Sequence, residues 1–268
     1  MAVGLDHIVA ATRRKVAAAK HSANYRELES RVEGRVPRGF RRALERVGRS
    51  GPAVIAELKK ASPSRGLIRC DFDPEILAKE LESAGAAALS VLTDEEFFQG
   101  SLASLERASS ATELPCLRKD FVVDEFQILE ARAHGADALL LIVAALSQEE
   151  LVSLARRAAS FDLDVLCEVH DEAEVGRALD AGCDMIGVNS RNLRTFQVTL
   201  KTAIRLAKLI PEGSLRVAES GIHTSADMAR LRAAGYQAFL IGESLMKAES
   251  PGQALRKLLA EAGVPAHS

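Results

Sequence analysis

Val54-Ile55-Ala56-Glu57-Leu58-Lys59 is an apolar run that ends in two charges. Three more runs do the same: Pro115-Cys116-Leu117-Arg118-Lys119, Val165-Leu166-Cys167-Glu168 and Leu215-Arg216-Val217-Ala218-Glu219. Lys and Glu are almost never buried unless paired, and an isolated buried charge costs several kcal/mol or more. Repeating that cost at the far end of four strands needs a cause. In a barrel of parallel strands the cause is catalysis, because the C-terminal strand ends floor the active site. A network of structural ion pairs closing the barrel end is the competing reading.

Glycines mark the repeat. Gly85, Gly135, Gly182 and Gly235 each end a helical pattern and precede an apolar run. They recur about every 50 residues, room for two strand–helix units. As C′ residues of helices they should have positive φ. The strands they introduce are Ala88–Leu92, Ala138–Val143, Met185–Asn189 and Ala238–Gly242. Interleaved with the four charged-end strands, they make eight. Helix signals lie between: the capping box Ser147-Gln148-Glu149-Glu150, and the N-cap–Pro pairs Asp73-Pro74 and Ser250-Pro251. The strand runs are continuous rather than alternating, as parallel strands covered by helices should be. The expected fold is α/β, a closed (β/α)8 TIM barrel with an N-terminal helical extension. A doubly wound open sheet is the runner-up, but no G-x-G-x-x-G follows the first strand.

The 268 residues suit one such domain, with the extension in residues 1–50 and the barrel in 51–268. Helical stretches Leu5–Lys20 and Arg38–Val47 fall in the extension. It could plug the barrel bottom or cover its mouth, and the lid is the expected role. At 47% hydrophobic residues and a formal charge of −2, the chain has ample core and little to attract a polyanion, so no nucleic-acid partner is expected. The longest apolar run, Ala138 to Leu146, is far short of a membrane span. Cys70, Cys116, Cys167 and Cys183 have no C-x-x-C spacing and suit a reducing cytoplasm.

Glu57 and Lys59 lie two apart on one strand and face the same side. Lys119 and Glu168 end strands three and five, which contribute to the same interior layer. Two lysines and two glutamates in one pocket should shift each other's pKa toward neutrality and serve acid–base work, with a bell-shaped pH profile. Gly221 and Gly242 follow strands seven and eight, where barrel enzymes commonly bind phosphate. Glu243 would have to turn its carboxylate away from such a phosphate. The six histidines form no metal-binding pattern, so neither metal nor cofactor is expected. These features also suit a phosphoribosyl isomerase, a lysine aldolase or a catalytically silent barrel used as a partner subunit.

Ile55-Ala56-Glu57-Leu58-Lys59-Lys60-Ala61-Ser62-Pro63-Ser64 closely resembles the opening-strand signature of indole-3-glycerol phosphate synthases. Leu117–Phe121, Gly187–Leu193 and Ala218–Ile222 resemble the later signatures of that family. The resemblance implies closure of a pyrrole ring on 1-(2-carboxyphenylamino)-1-deoxyribulose 5-phosphate, with loss of carbon dioxide and water. It implies Lys119 as general acid, Glu168 and Lys59 as proton carriers in dehydration, and Glu57 as the group that positions the lysines. Asn189, Glu219 and Ser220 would meet substrate hydroxyls or tune the pocket. Ser62, Gly221, Gly242 and the Glu243 amide would hold phosphate. Phe98 and Leu193 would wall the anthranilate pocket, and Arg191 would face the substrate carboxylate. A free-standing monomer or weak homo-oligomer is expected.

Overall fold

The computed structural model describes residues 4–192 and 197–263. Eight parallel strands close a barrel: β1 (Ala53–Leu58), β2 (Ala88–Leu92), β3 (Cys116–Lys119), β4 (Ala138–Ile142), β5 (Asp164–Val169), β6 (Met185–Asn189), β7 (Leu215–Glu219) and β8 (Ala238–Ile241). Each strand pairs with its sequence neighbours, and β1 pairs with β8 to close the ring. Strand limits differ from the sequence reading by at most a residue at either end. The four repeat glycines have φ between 79° and 95°, the left-handed turn needed to leave each helix.

Alternation along the strands separates two cores. One side faces the helices. The other fills the barrel with Ala53, Ile55, Leu117, Ala138, Leu140, Leu166, Met185, Val217 and Leu240. The same alternation carries the interior row of β1 from Ala53 through Ile55 to Glu57. On β3, β5 and β7 it ends in Lys119, Glu168 and Glu219. The apolar layers thus form the floor on which the charged ends stand.

The extension has three helices: α1 (Leu5–Ser22), α2 (Tyr25–Glu33) and α3 (Phe40–Gly48). Lid and plug prove not to be alternatives. Phe40 and Leu44 of α3 are fully buried and join the interior cluster with Ala53, Ile55 and Ala88, near the strand N-termini. Arg38 fixes that entry by bonding Asp137 and the carbonyls of Ser109 and Thr112. At the opposite end, α1 leans on the loops after β2, β3 and β4 through Lys15–Glu95, Lys20–Asp124 and Arg13–Glu150. α2 fully buries none of its own residues, and its apolar positions are Tyr25, Leu28 and Val32, with the Tyr25 ring against Phe126.

Candidate active site

A cavity opens at the C-terminal end of the barrel. Its lining divides by strand. Leu92, Phe98, Phe121 and Ile142 come from β2 to β4 and the segments after them, with Leu5 and Ile8 of α1 above. Ser62, Arg191, Ser220 and Glu243 come from the segments after β1, β6, β7 and β8, the opposite arc of the ring. The first arc therefore carries the aromatic and most of the apolar lining, with Asp94 and Asp120 among it, and the other is mainly polar.

Between the arcs sits the charged cluster. Lys119 Nζ lies 3.5 Å from Glu168, 3.5 Å from Glu219 and 3.7 Å from Glu57. Lys59 Nζ holds Glu57 at 2.7 Å. Asn189 Nδ2 donates to Glu168 Oε1 at 3.2 Å, while its own oxygen accepts the Arg191 N–H at 3.0 Å. The space among the three carboxylates is filled by the Lys119 ammonium. Among the described residues, no group of three or more His, Cys, Asp and Glu is arranged to hold a metal ion.

Two interior glycines make room for this cluster. A Cβ on Gly187 would collide with Glu219 Oε1 and come within 3.1 Å of Leu166. A Cβ on Gly242 would reach within 2.5 Å of Glu57 Oε1. The space demand of the two glutamates explains both positions.

The charges do not drift toward neutrality as a group, which corrects the sequence reading. Burial pushes Glu168 up, but Lys119 and His170 outweigh it and hold the carboxyl well below its usual range. Burial pushes Lys119 down, but Glu219, Glu168 and Glu57 hold its proton more tightly than usual. Glu57 is lowered because Lys59 and Lys119 outweigh its burial. Of the three carboxylates, Glu219 is the one that moves toward neutrality. Burial and the Glu168 charge push it up to about 8, against a smaller pull from Lys119. The groups expected to shape both limbs of the pH profile thus leave the accessible range, and Glu219 is left to titrate inside it.

On the polar arc, the Ser62 hydroxyl is buried with no hydrogen-bond partner. Ser220 and Gly221 follow β7 with φ of 63° and 77°, and a non-glycine residue holds that conformation only under strain. Gly221 and Gly242 do not line the cavity themselves; Gly242 instead caps the short helix Glu243–Met246. The Glu243 carboxylate is held by Lys247 at 2.6 Å, Arg65 at 3.2 Å and Arg191 at 3.7 Å. On the apolar arc, the Phe98 and Phe121 rings stack obliquely with centroids 6.3 Å apart. Leu193 lies outside the described residues. His170, in the loop just past β5, stands 3.3 Å from Glu168.

Comparison with known proteins agrees with this geometry. Residues 5–258 match the family model of indole-3-glycerol phosphate synthase. A protein of that name from Koribacter versatilis (strain Ellin345) is 59% identical over 259 residues, spanning 97% of this chain and 100% of the relative. One from Burkholderia multivorans (strain ATCC 17616 / 249) is 48% identical over 255 residues, 95% of this chain and 98% of its own. Among solved structures, 3-hexulose-6-phosphate synthase from Salmonella typhimurium superposes with a TM-score of 0.64 at 14% identity, covering 80% of this chain and 100% of that one. KGPDC from Streptococcus mutans gives 0.61 at 15%, covering 80% and 98%. At such identities these likenesses speak to the barrel alone. The match along nearly the whole sequence is decisive: the chain belongs to the indole-3-glycerol phosphate synthase family.

Proposed function

We propose that the protein closes the indole ring of indole-3-glycerol phosphate on 1-(2-carboxyphenylamino)-1-deoxyribulose 5-phosphate, with Lys119 as general acid. The observation that carries this is a loaded ammonium between an aromatic arc and a polar one. The anthranilate ring suits Phe98 and Phe121. The phosphate suits Ser62, Ser220 and the backbone at Glu243, with Gly221 and Gly242 shaping the turns that present them. Arg65, Lys247 and Arg191 gather at Glu243 and leave that region without a net negative charge. Arg191 is the cation available to the substrate carboxylate. The Glu219 oxygens, ion-paired to Lys119 but without a hydrogen-bond partner, suit substrate hydroxyls.

The ring carbon bearing the carboxylate attacks the ribulose carbonyl carbon, and Lys119 delivers a proton to the carbonyl oxygen. An ammonium held this tightly is a weak acid. The developing alkoxide is still the stronger base, since even water has a pKa of about 15.7. Carbon dioxide then leaves, and its bonding pair restores the aromatic ring. The new hydroxyl departs as water with a proton from Lys59, while Glu168 takes the proton from the adjacent carbon. Glu57 holds both lysines, and Asn189 holds Glu168. The enzyme gives two protons and gains one, so one is taken up from solvent per turnover.

The free thiols of Cys116, Cys167 and Cys183, all buried, suit a cytoplasmic enzyme. The substrate is a phosphorylated small molecule, and a monomer or weak homo-oligomer is sufficient for it. No helix among the described residues is long and apolar enough to cross a membrane. The test of the mechanism is Lys119→Ala, which should lower kcat by about two orders of magnitude or more. Three buried carboxylates rely on this lysine, so the melting temperature is measured alongside. A folded variant with near-normal turnover would reject the assignment.

A further inference from the structure

His170 has no part in the steps above, yet both of its ring nitrogens face carboxylates. It follows β5, two residues beyond Glu168, and its side chain is only 12% exposed. Nδ1 is hydrogen-bonded to Glu174 Oε2 at 3.0 Å, and Nε2 is 3.3 Å from Glu168 Oε1, within ion-pair distance but without hydrogen-bond geometry. That Glu174 oxygen also accepts the His170 backbone N–H at 2.7 Å. Asp171 in turn accepts the Glu174 N–H as N-cap of the helix Glu172–Asp180. A neutral imidazole has one N–H and can serve one of two carboxylates. Only the doubly protonated ring presents an N–H and a positive charge to both.

We propose that His170 is a standing cation that positions Glu168 and keeps it ionised as the proton acceptor of the reaction, with Glu174 as its anchor. The proposal rests on the functional reading above. Glu168 Oε1 meets two nitrogens, from His170 and Asn189, while Oε2 faces Lys119. The carboxylate is held from one side, leaving Oε2 as the working oxygen. Without His170, Glu168 would share Lys119 with Glu57 and Glu219, and burial would favour its protonated form.

The surrounding charges agree. Burial pushes the imidazole down, but Glu168 and Glu174 outweigh it and bring the ring up to about 10. Glu57 from β1, Lys119 from β3 and Glu219 from β7 reach it through Glu168. On its own helix, Glu172 pairs with Arg205, and Arg177 is turned to the carbonyls of Val143 and Leu146. Glu168 and Glu174 are therefore the charges that decide its state.

The experiment is the pH profile of kcat/KM for wild type and His170→Gln, with the ring state of His170 read by nitrogen NMR. In wild type the ring should still be protonated at about pH 8, where an ordinary histidine is neutral. Wild type should show no acid limb from Glu168 in the accessible range, and in His170→Gln that limb should rise into it. The loss should fall on kcat, with KM changed by no more than about twofold, and activity should recover as the pH is raised. A uniform loss with an unmoved profile would make His170 merely structural and overturn the proposal, as would a neutral ring in wild type at that pH. If His170→Gln does not fold, Glu174→Gln decides, since it should lower the pH at which the ring titrates; an unmoved titration rejects the anchor. Failure of the functional reading would look different: wild type would form no indole product, whatever the charge on the ring.

Discussion

Cutting the chain after Ser22 and hollowing α3 with Phe40→Ala should give opposite signatures. Phe40 is fully buried in the barrel interior. Truncating such a Phe to Ala costs about 3–5 kcal/mol. At this size that is a fall of roughly 6–20 °C in melting temperature. The mouth lies at the other end of the barrel, so KM of the folded fraction should not move. α1 is held more lightly. It buries Ile8, Ala11, Thr12 and Val16, and its ion pairs are largely exposed and screened by salt. Leu5 and Ile8 nevertheless line the cavity. Its removal should leave the barrel folded, with KM raised more than kcat is lowered, because the ligand loses apolar cover and the site admits water. The assays are thermal melting and initial rates across substrate concentration on both proteins. An unchanged KM without α1 would reject the lid, and a melting temperature unmoved by Phe40→Ala would reject the plug. A single deletion through Leu44 removes both parts and cannot separate them.

Other outcomes follow from the cluster. With Glu219 pushed up to about 8, kcat/KM should change near that pH, and Glu219→Gln should abolish the inflection; its persistence would move it to another group. The sign for stability is also fixed. A carboxyl raised on folding stabilises fully below its unfolded value of about 4.5 and loses that contribution as pH rises through about 8, so Glu219→Gln should flatten the melting curve's pH dependence in that window. Gly187→Ala forces the Glu219 carboxylate aside and should lower kcat well beyond any change in melting temperature; full activity would mean Glu219 need not stand there. A dephosphorylated substrate should bind far more weakly, since remote phosphate contacts supply binding energy. Equal Kd values for the two forms would remove phosphate from the polar arc.

The barrel was legible because each of its devices is local. A period-two strand ending in charge, a glycine leaving each helix and an N-cap entering the next are all written in adjacent residues. Lys59, Lys119, Glu168 and Glu219 converge as their strand ends foretold. What was not legible needed distance. His170 looks like any residue after a strand until Glu174 comes back around the first turn of the next helix. Gly187 looks like an ordinary strand glycine until Glu219 of the neighbouring strand takes its space. The pKa pattern was misread for the same reason: sequence counts the charges, whereas their order around Lys119 decides which rise and which fall. The lid and plug could not be apportioned because an apolar face on α1 or α3 marks a surface to be buried without naming the end of the barrel it meets, and only the fold sends them to opposite ends.

The most direct measurement is product formation by the purified protein with 1-(2-carboxyphenylamino)-1-deoxyribulose 5-phosphate. The chain has no Trp, so indole fluorescence rises over little background. Wild type should produce the indole signal together with one carbon dioxide per product and uptake of one proton from solvent, and Lys119→Ala should suppress all three together. Absence of indole product from a folded wild-type protein, or undiminished product from Lys119→Ala, would contradict the central claim.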